Sequence, residues 1–312
     1  METLTDEQLI QLFNEDCETR GLSKHTIVSY KSTLNLFSTF LKQNHYTFQN
    51  IDRNILKTYI NYLRKNKMSI STIENRFSTL STFYDFAIFE SYVDKNIVLE
   101  ARKRYLKRYK KNENNGHKRK LITIEEMAML ANTMFDLRTK AILVLFAKTG
   151  IRLRELIAID IDEINWDEMS IRLKPTHKRS NTIVYFDYET SNLLKRWLKK
   201  REYIADEDCK ALFVSYTTKR RLHRNAIYSS ITSWAEKHGL HNPNSPNLED
   251  HFTPHCCRHW FTTYLRRAGM PREYIKELRG DKRSDSMDIY YHIDSEDLRK
   301  SYLGCIPQLG II

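Results

Sequence analysis

Residues 255–259 read His-Cys-Cys-Arg-His, with His255 and Arg258 three positions apart. Residues 149–155 (Thr-Gly-Ile-Arg-Leu-Arg-Glu) contain a second arginine, Arg152, and Tyr290 follows both stretches. Positions i and i+3 share one face of a helix, so His255 and Arg258 can act on a single group. Arginine binds phosphate oxygens in pairs, histidine exchanges protons near neutrality, and tyrosine can be a covalent nucleophile. The combination predicts chemistry on a phosphodiester.

The composition favours a polyanionic partner. The chain has 312 residues and a formal net charge of +12, which predicts one or two domains and a nucleic acid as partner. No apolar run is long enough for a spanning helix, and the acidic beginning is unlike a signal peptide, so a membrane is not expected. Five cysteines without a regular framework indicate a reducing cytoplasm. Only 8 glycines and 6 prolines favour helices over a many-turned β-fold.

The first hundred residues predict a helical domain, residues 1–100. Ser23 is a plausible N-cap for a helix whose apolar residues recur at helical spacing from Ile27 to Leu41. A similar pattern begins near Ser71, and residues 55–63 suggest a helix between the two. The many aromatic side chains on these stripes are interpreted as core residues.

A basic linker is predicted over residues 101–120. This run contains ten Lys or Arg residues and a single acid, Glu113. It is either a solvated connection or an arm that contacts phosphates and releases counterions. The contact residues expected in the second case, called the linker cations below, are Lys107, Arg108, Lys110 and Lys111.

The second domain, residues 121–312, reads as helical with a small sheet. Thr123 and Glu126 form a capping-box pattern, and residues 141–146 form an apolar helix before Thr149. Two short β-type runs, 170–173 and 182–186, predict a hairpin with a long basic tip. Further helices are predicted at 191–201, 225–239, 259–267 and 272–278. The fold class expected is therefore mainly α with a small β-sheet (α+β).

In order and spacing, these motifs resemble the tyrosine recombinases of the phage integrase and Xer family. Arg152 and Glu155 match the family's Gly-hydrophobic-Arg-x-x-Glu signature, and His255 with Arg258 match its His-x-x-Arg box. The run Asp288-Ile289-Tyr290-Tyr291-His292 resembles the family's Ile-Tyr-Thr-His, which aligns Tyr290 with the nucleophile. The resemblance implies a helical N-terminal core-binding domain followed by a catalytic domain.

The family's catalytic lysine lies on a β-hairpin, where this chain offers two candidates. Lys178 fits best by its distance to the second strand, and Lys174 is the alternative. The family's Gly-Lys-Gly turn is absent, so the register between them stays open.

Asp281 departs from the family, which usually has His at this position. An ionised carboxylate cannot donate to a phosphate, and at about 4 Å it would repel one by on the order of 4 kcal/mol. We therefore expect Asp281 to point away from the phosphate and to orient a cation, either His255 or Lys282.

A zinc site formed by His255, Cys256, Cys257 and His259 is the competing interpretation of the most specific motif. Adjacent cysteines on a helix diverge by about 100°, which suits tetrahedral ligation badly. Cys256 and Cys257 are therefore predicted to be buried as small apolar side chains.

The activity implied by the resemblance is site-specific recombination of double-stranded DNA through a 3′-phosphotyrosine, with neither a metal nor another cofactor. Four protomers would join two DNA sites, and the apolar C-terminal tail (residues 303–312) would dock on a neighbouring subunit. A cytoplasmic, nucleoid-associated protein of prokaryotic, plasmid or viral origin would fit this activity.

Three other activities are compatible with parts of the pattern. An enzyme like the type IB topoisomerases would share the phosphotyrosine chemistry but would relax DNA. A non-catalytic DNA-binding regulator could keep the fold, and Asp281 is the residue that hints at it. A metal-dependent nuclease would need clustered acids, which the sequence does not offer.

Overall fold

The computed structural model describes residues 4–106, 119–176, 179–281 and 293–311. Its contacts divide the chain into two compact units, Met1–Gly116 and His117–Ile312. Across the described parts, no helix combines the length and the apolar character needed to cross a lipid bilayer.

The first unit is built from amphipathic helices. Ser23 caps the second helix by accepting from the Thr26 amide at 3.2 Å, as predicted. The fourth helix begins near Ser71, as predicted, and its cap is Ser69, whose hydroxyl accepts from the Thr72 amide at 3.2 Å. The helices are α1 (Asp6–Thr19), α2 (Lys24–Gln43), α3 (Arg53–Lys65), α4 (Ile70–Phe89) and α5 (Ile97–Ala101).

The aromatic residues of the first unit form its core, as predicted. Phe37 of α2, Tyr59 of α3 and Phe77 of α4 are each at most 1% exposed. The ring centroids of Phe37 and Tyr59 lie 4.7 Å apart, and those of Tyr59 and Phe77 lie 5.9 Å apart. Rings at such distances stabilise one another beyond the effect of burial alone. They are therefore packing residues of the helical bundle.

The second unit opens with the predicted capping box: the Thr123 amide donates to Glu126 at 2.7 Å, and the Glu126 amide donates to the Thr123 hydroxyl at 3.1 Å. All the predicted helices are present, with bounds that differ from the predicted ones by at most five residues. The helices of this unit, which include the unpredicted α8 and α13, are α6 (Ile124–Asn132), α7 (Leu137–Thr149), α8 (Leu153–Ala158), α9 (Tyr188–Glu202), α10 (Arg224–Lys237), α11 (Pro254–Arg267), α12 (Arg272–Arg279) and α13 (Ser295–Cys305).

The predicted hairpin belongs to a three-stranded antiparallel sheet in the order β1-β2-β3. The strands are β1 (Ile164–Asn165), β2 (Ser170–Arg172) and β3 (Ile183–Tyr185). Ile171 pairs with Ile164 on one side and with Val184 on the other. β1 was not predicted, because two residues are too short for an alternating pattern to show. The mainly α fold with a small sheet is confirmed.

Helix α7 forms the centre of the second unit. Each residue from Ala141 to Ala147 is at most 1% exposed, and α9, α10 and α11 pack around it. Cys256 and Cys257 of α11 are buried in this same core, as predicted. Because α7 is covered on all sides, the loop that follows its last residue, Thr149, has a fixed position.

Candidate active site

Arg152 lies at the start of α8, immediately after the buried helix α7. α7 ends at Gly150 in the left-handed conformation (φ 60°), and a Cβ atom there would lie 2.4 Å from the Phe261 ring. Only glycine allows the loop to approach α11 so closely. Glu155 then accepts from the Arg152 amide at 2.7 Å and from its Nη1 at 2.9 Å. Glu155 therefore orients the guanidinium group.

Arg258 lies at the start of the second turn of α11 and is almost fully buried, with 5% of its surface exposed. Its Nη1 donates to the Gly150 carbonyl at 2.7 Å, and its Nη2 donates to the Arg279 carbonyl at 2.9 Å. Burial, followed by the positive charges of Arg152 and Arg279, lowers the pKa of Arg258 to about 10. The side chain is therefore still a cation at neutral pH, held between two backbone carbonyl groups.

Asp281 places its carboxylate among three arginines. Its Oδ1 lies 3.0 Å from Arg258 Nη2 and 3.7 Å from Arg152 Nη2, and its Oδ2 lies 3.0 Å from Arg279 Nε. The expectation that His255 is the partner of Asp281 is wrong, because in this DNA-free structure the carboxylate contacts three guanidinium groups. The other expected partner, Lys282, lies outside the described residues.

His255 precedes Arg258 by one helical turn, as predicted. Loss of hydration around its ring, followed by the positive charge of Arg119, lowers the pKa of His255 to about 4. The imidazole is therefore neutral at pH 7 and can accept a proton or donate one hydrogen bond, depending on its tautomer. It opens onto a cavity of about 50 Å³ lined by His255, Arg258, His259, Thr262 and Arg279.

Arg179 connects the hairpin to the site, although the sequence predicted no role for it beyond membership of the basic tip. Its side chain is 0% exposed, and its Nη1 lies 3.2 Å from Glu155. Its Nη2 donates to the Leu278 carbonyl at 2.7 Å, and its Nη1 donates to the Arg279 carbonyl at 3.1 Å. Burial is the main cause that lowers the pKa of Arg179. No signal in the sequence separates this arginine from its basic neighbours.

The lysine candidates differ in what the structure describes. Lys174 donates to Asp160 at 2.6 Å and keeps 46% of its side chain exposed. Asp160 also pairs with Arg221. Lys174 is thus part of a separate ion-pair group. Lys178, Tyr290 and the linker cations lie outside the described residues.

The C-terminal segment docks on its own unit in this chain, whereas the sequence suggested docking on a neighbour. Ile306 and Leu309 are 4% and 3% exposed. Glu189 accepts from the Leu309 amide at 2.9 Å and from the Ile311 amide at 3.1 Å. The segment is therefore an ordered part of the second unit.

Lys148 anchors this segment from within the core. The residue is completely buried, and its Nζ lies 2.5 Å from Asp187 and 2.7 Å from Glu189. It also donates to the Pro307 carbonyl at 2.6 Å, and the Tyr302 hydroxyl donates to the Lys148 carbonyl at 2.9 Å. The tail therefore contacts the end of α7 at Lys148, four residues before Arg152.

Taken together, these contacts bring Arg152, Arg258 and Asp281 into direct contact and place His255 beside them. Two oriented guanidinium groups that meet at one carboxylate, with a neutral imidazole on the adjoining cavity, can bind an oxyanion and stabilise added negative charge on it. The arrangement suits transfer at a phosphate or carboxylate centre better than it suits binding of a cation.

Comparison with known proteins finds family profiles and relatives that match most of this chain. The sequence profile of the phage integrase family matches residues 120–297, and that of the phage integrase N-terminal SAM-like domain matches residues 10–91. The tyrosine recombinase XerC of Vibrio cholerae serotype O1 (strain ATCC 39541) is 28% identical over 294 residues, covering 91% of this chain and 87% of the relative. XerC of Histophilus somni is 26% identical over 288 residues, covering 91% of each chain.

Solved structures share the fold at low sequence identity. A lambda integrase (residues 75–356) dimer bound to a COC′ core site matches with a TM-score of 0.69 and 17% identity, covering 94% of this chain and 100% of the other. The Tn1549 transposon integrase in complex with transposon right end DNA matches with a TM-score of 0.68 and 16% identity, covering 94% and 97%.

Proposed function

This chain belongs to the phage integrase family, and we propose that it is a tyrosine recombinase that cuts and rejoins double-stranded DNA at specific sites through a 3′-phosphotyrosine. The observation that carries the proposal is the convergence of Arg152 and Arg258 on one carboxylate oxygen, at 3.7 and 3.0 Å. A carboxylate held in this way occupies a site with the charge and the donors that a phosphodiester needs.

The proposed reaction is a transesterification. The hydroxyl oxygen of Tyr290 attacks phosphorus and its proton passes to the neutral His255 imidazole. The bond from phosphorus to the 5′ oxygen breaks, and Lys178 (or Lys174) gives a proton to the leaving oxygen. Rejoining is the reverse, with the 5′ hydroxyl as nucleophile and tyrosine as leaving group. The phosphotyrosine conserves the energy of the broken bond, so the reaction has no need of a nucleotide cofactor or a metal.

The arginines stabilise the charge that develops on the phosphate. The site holds them before substrate arrives, Arg152 through Glu155 and Arg258 through two carbonyl groups. Preorganised donors of this kind contribute more than mobile ones because they need no reorganisation during the reaction. His255, neutral at pH 7 because of its lowered pKa, assists proton transfer at the attacking tyrosine or donates to a phosphate oxygen.

The deciding experiment uses a DNA duplex with a nick near the cleavage position, which traps the covalent intermediate. We expect an adduct with the wild type in the presence of EDTA, no adduct with Tyr290→Phe, and an adduct with Tyr291→Phe. Mass spectrometry of the adducted peptide identifies the nucleophile. EDTA-sensitive cutting would support a nuclease instead, and binding without an adduct would support a regulator.

A matched pair of arginine variants tests the phosphate site. Arg152→Ala is expected to lower single-turnover cleavage by at least ~10²-fold, the scale for losing a charged transition-state donor. Arg154 is two residues further along the chain and is exposed. Arg154→Ala removes the same charge from the surface and is expected to cleave at close to the wild-type rate. Equal rates for the two variants would remove Arg152 from the site.

We also propose an assembly of four copies on two DNA sites in a prokaryotic cytoplasm, held in part by the C-terminal tail. The groove formed by Lys148, Asp187 and Glu189 binds the chain's own tail here, and an identical neighbour offers an identical groove. A chain shortened after Cys305 is expected to be less stable, because Ile306 and Leu309 are lost from the core; at a temperature where it is still folded, it should bind one DNA site and form fewer synaptic complexes on gel filtration. Unchanged synapsis would rule out the tail contact.

A further inference from the structure

The anion site contains a third guanidinium group that the two recognised motifs do not include. Arg279 is the last residue of α12, and its side chain is 33% exposed. It lines the same small cavity as His255 and Arg258. Its Nε lies 3.0 Å from Asp281 Oδ2, while the other carboxylate oxygen faces Arg258 and Arg152. Three arginines thus surround one carboxylate.

The carboxylate of Asp281 marks where an anion binds. Its two oxygens and single negative charge resemble the two non-bridging oxygens of a phosphodiester. A carboxylate and a phosphate about 4 Å apart repel each other, and the repulsion is stronger in a partly buried site than in water. The two anions therefore compete for one position, and DNA binding requires the Asp281 side chain to rotate away.

The backbone around Asp281 allows this exchange. The Asp281 amide donates to the Lys276 carbonyl at 3.1 Å, and the Asp281 carbonyl accepts from the Ser180 hydroxyl at 2.9 Å. The main chain is thus anchored on both sides, whereas the side chain is 31% exposed, so the carboxylate can turn toward solvent once a phosphate takes over its contacts with the arginines. The arginines stay in place because their own anchors are elsewhere.

Arg279 is fixed by its main chain in the same way. Its carbonyl accepts from Arg258 at 2.9 Å and from Arg179 at 3.1 Å. In the part of the chain that the structure describes, no hydrogen bond engages the Nη1 or Nη2 nitrogens of Arg279. The side chain of Arg279 therefore offers donors to a bound oxyanion. Truncating it would leave the contacts of the Arg279 carbonyl with Arg258 and Arg179 in place.

We propose that Arg279 is a further catalytic residue, which binds a non-bridging oxygen of the scissile phosphate in the place that Asp281 occupies in the DNA-free chain. The inference rests on the proposed phosphotyrosine chemistry and adds to it. Arg279 supplies the donor that a carboxylate at position 281 cannot supply, and with Arg152 and Arg258 it surrounds the phosphate on three sides. The negative charge that develops on the phosphate oxygens during attack is then stabilised by all three guanidinium groups.

The test compares two nicked substrates, one with the natural phosphate and one with a methylphosphonate at the cleavage position. The methyl group removes the negative charge, and with it the need for a charged partner. Arg279→Ala is expected to slow single-turnover cleavage of the phosphate by ~10²-fold and to cleave the methylphosphonate at a rate close to that of the wild type. Arg266→Ala, an exposed arginine of α11, is the control for loss of surface charge.

Each outcome has a separate meaning. Wild-type cleavage of the phosphate by Arg279→Ala would overturn the inference, and so would an equal loss on both substrates, which indicates a structural role. Arg279→Lys, which keeps the charge, is expected to restore part of the rate on the phosphate only. Absence of any adduct with the wild-type protein would instead refute the proposed function itself.

Discussion

Removing the positive charge of Lys148 is expected to destabilise the second unit and release its C-terminal segment. Lys148→Met replaces the lysine with an unbranched side chain of similar length that has no ammonium group. The substitution leaves Asp187 and Glu189 without their common partner and the Pro307 carbonyl without its donor. Breaking a buried ion pair from one side costs about 3–5 kcal/mol. Lys148 is completely buried, so the full range applies without a reduction for solvent screening.

The measurement is urea unfolding followed by tryptophan fluorescence. The chain has 4 tryptophans, all within the second unit (Trp166, Trp197, Trp234 and Trp260), so the signal reports on that unit alone. With an m-value of about 3 kcal/mol/M, the midpoint is expected to fall by about 1–1.7 M. Hydrogen exchange at the Leu309 and Ile311 amides, which donate to Glu189, should accelerate in the same variant.

Lys210→Met is the matched control. Lys210 lies 3.5 Å from Asp162, and the two side chains are 72% and 59% exposed. Exposed pairs of this kind contribute about 0–1 kcal/mol, so the midpoint should hardly move. If Lys148→Met unfolds at the same urea concentration as Lys210→Met, the buried pair does not hold the tail and the reasoning fails.

Three further predictions concern the glycine at the site, the imidazole and the linker. Gly280→Ala is expected to lower the free energy of unfolding by at least ~2 kcal/mol, because a Cβ atom would lie 2.3 Å from the buried Arg179 side chain at a left-handed backbone position. Gly239 has a similar φ of +69° with open space around it, so Gly239→Ala should show the backbone cost alone in the same urea assay. The His255 ring should titrate by NMR with a pKa near 4 in place of about 6.5, and a midpoint near 6.5 would contradict this prediction. Because the folded-state pKa is lowered, the contribution of His255 to stability is present above about pH 6.5 and is lost as the pH falls toward 4. Replacing the four linker cations with glutamine should flatten the dependence of log affinity on log salt by up to about 0.9 per lost phosphate contact, and an unchanged slope would return the linker to a solvated connection.

Local patterns in the sequence were sufficient for most of the fold. Ser23 and Thr123 begin helices where predicted, since a cap depends on neighbours within three residues. The apolar spacing also located α4, predicted near Ser71 and beginning at Ile70, but did not show that Ser69 is its cap. β1 pairs with β2 through just two residues, which is too short for a periodic signal.

The site was predictable only where the motifs themselves contain the geometry. His255 and Arg258 share a helical face because of their spacing, and Glu155 reaches Arg152 within one turn. By contrast, the burial of Arg179 depends on carbonyl groups about a hundred residues away, and a basic run gives no sign of them. The same is true of Asp281, whose partners come from separate elements of the second unit.

The contacts of Arg258 also bear on when the protein becomes active during its synthesis. This side chain joins the Gly150 carbonyl, 108 residues earlier, to the Arg279 carbonyl, 21 residues later. Contacts of such long sequence separation require the closure of long loops and form late in folding. A nascent chain is completed from its N-terminus, so the helical first unit, with its short-range contacts, can fold while the arginine cluster is still incomplete. An incomplete ribosomal product that ends before residue 279 therefore lacks one of the two carbonyl groups that hold Arg258, and the arginine cluster is assembled only when nearly the whole chain has been made.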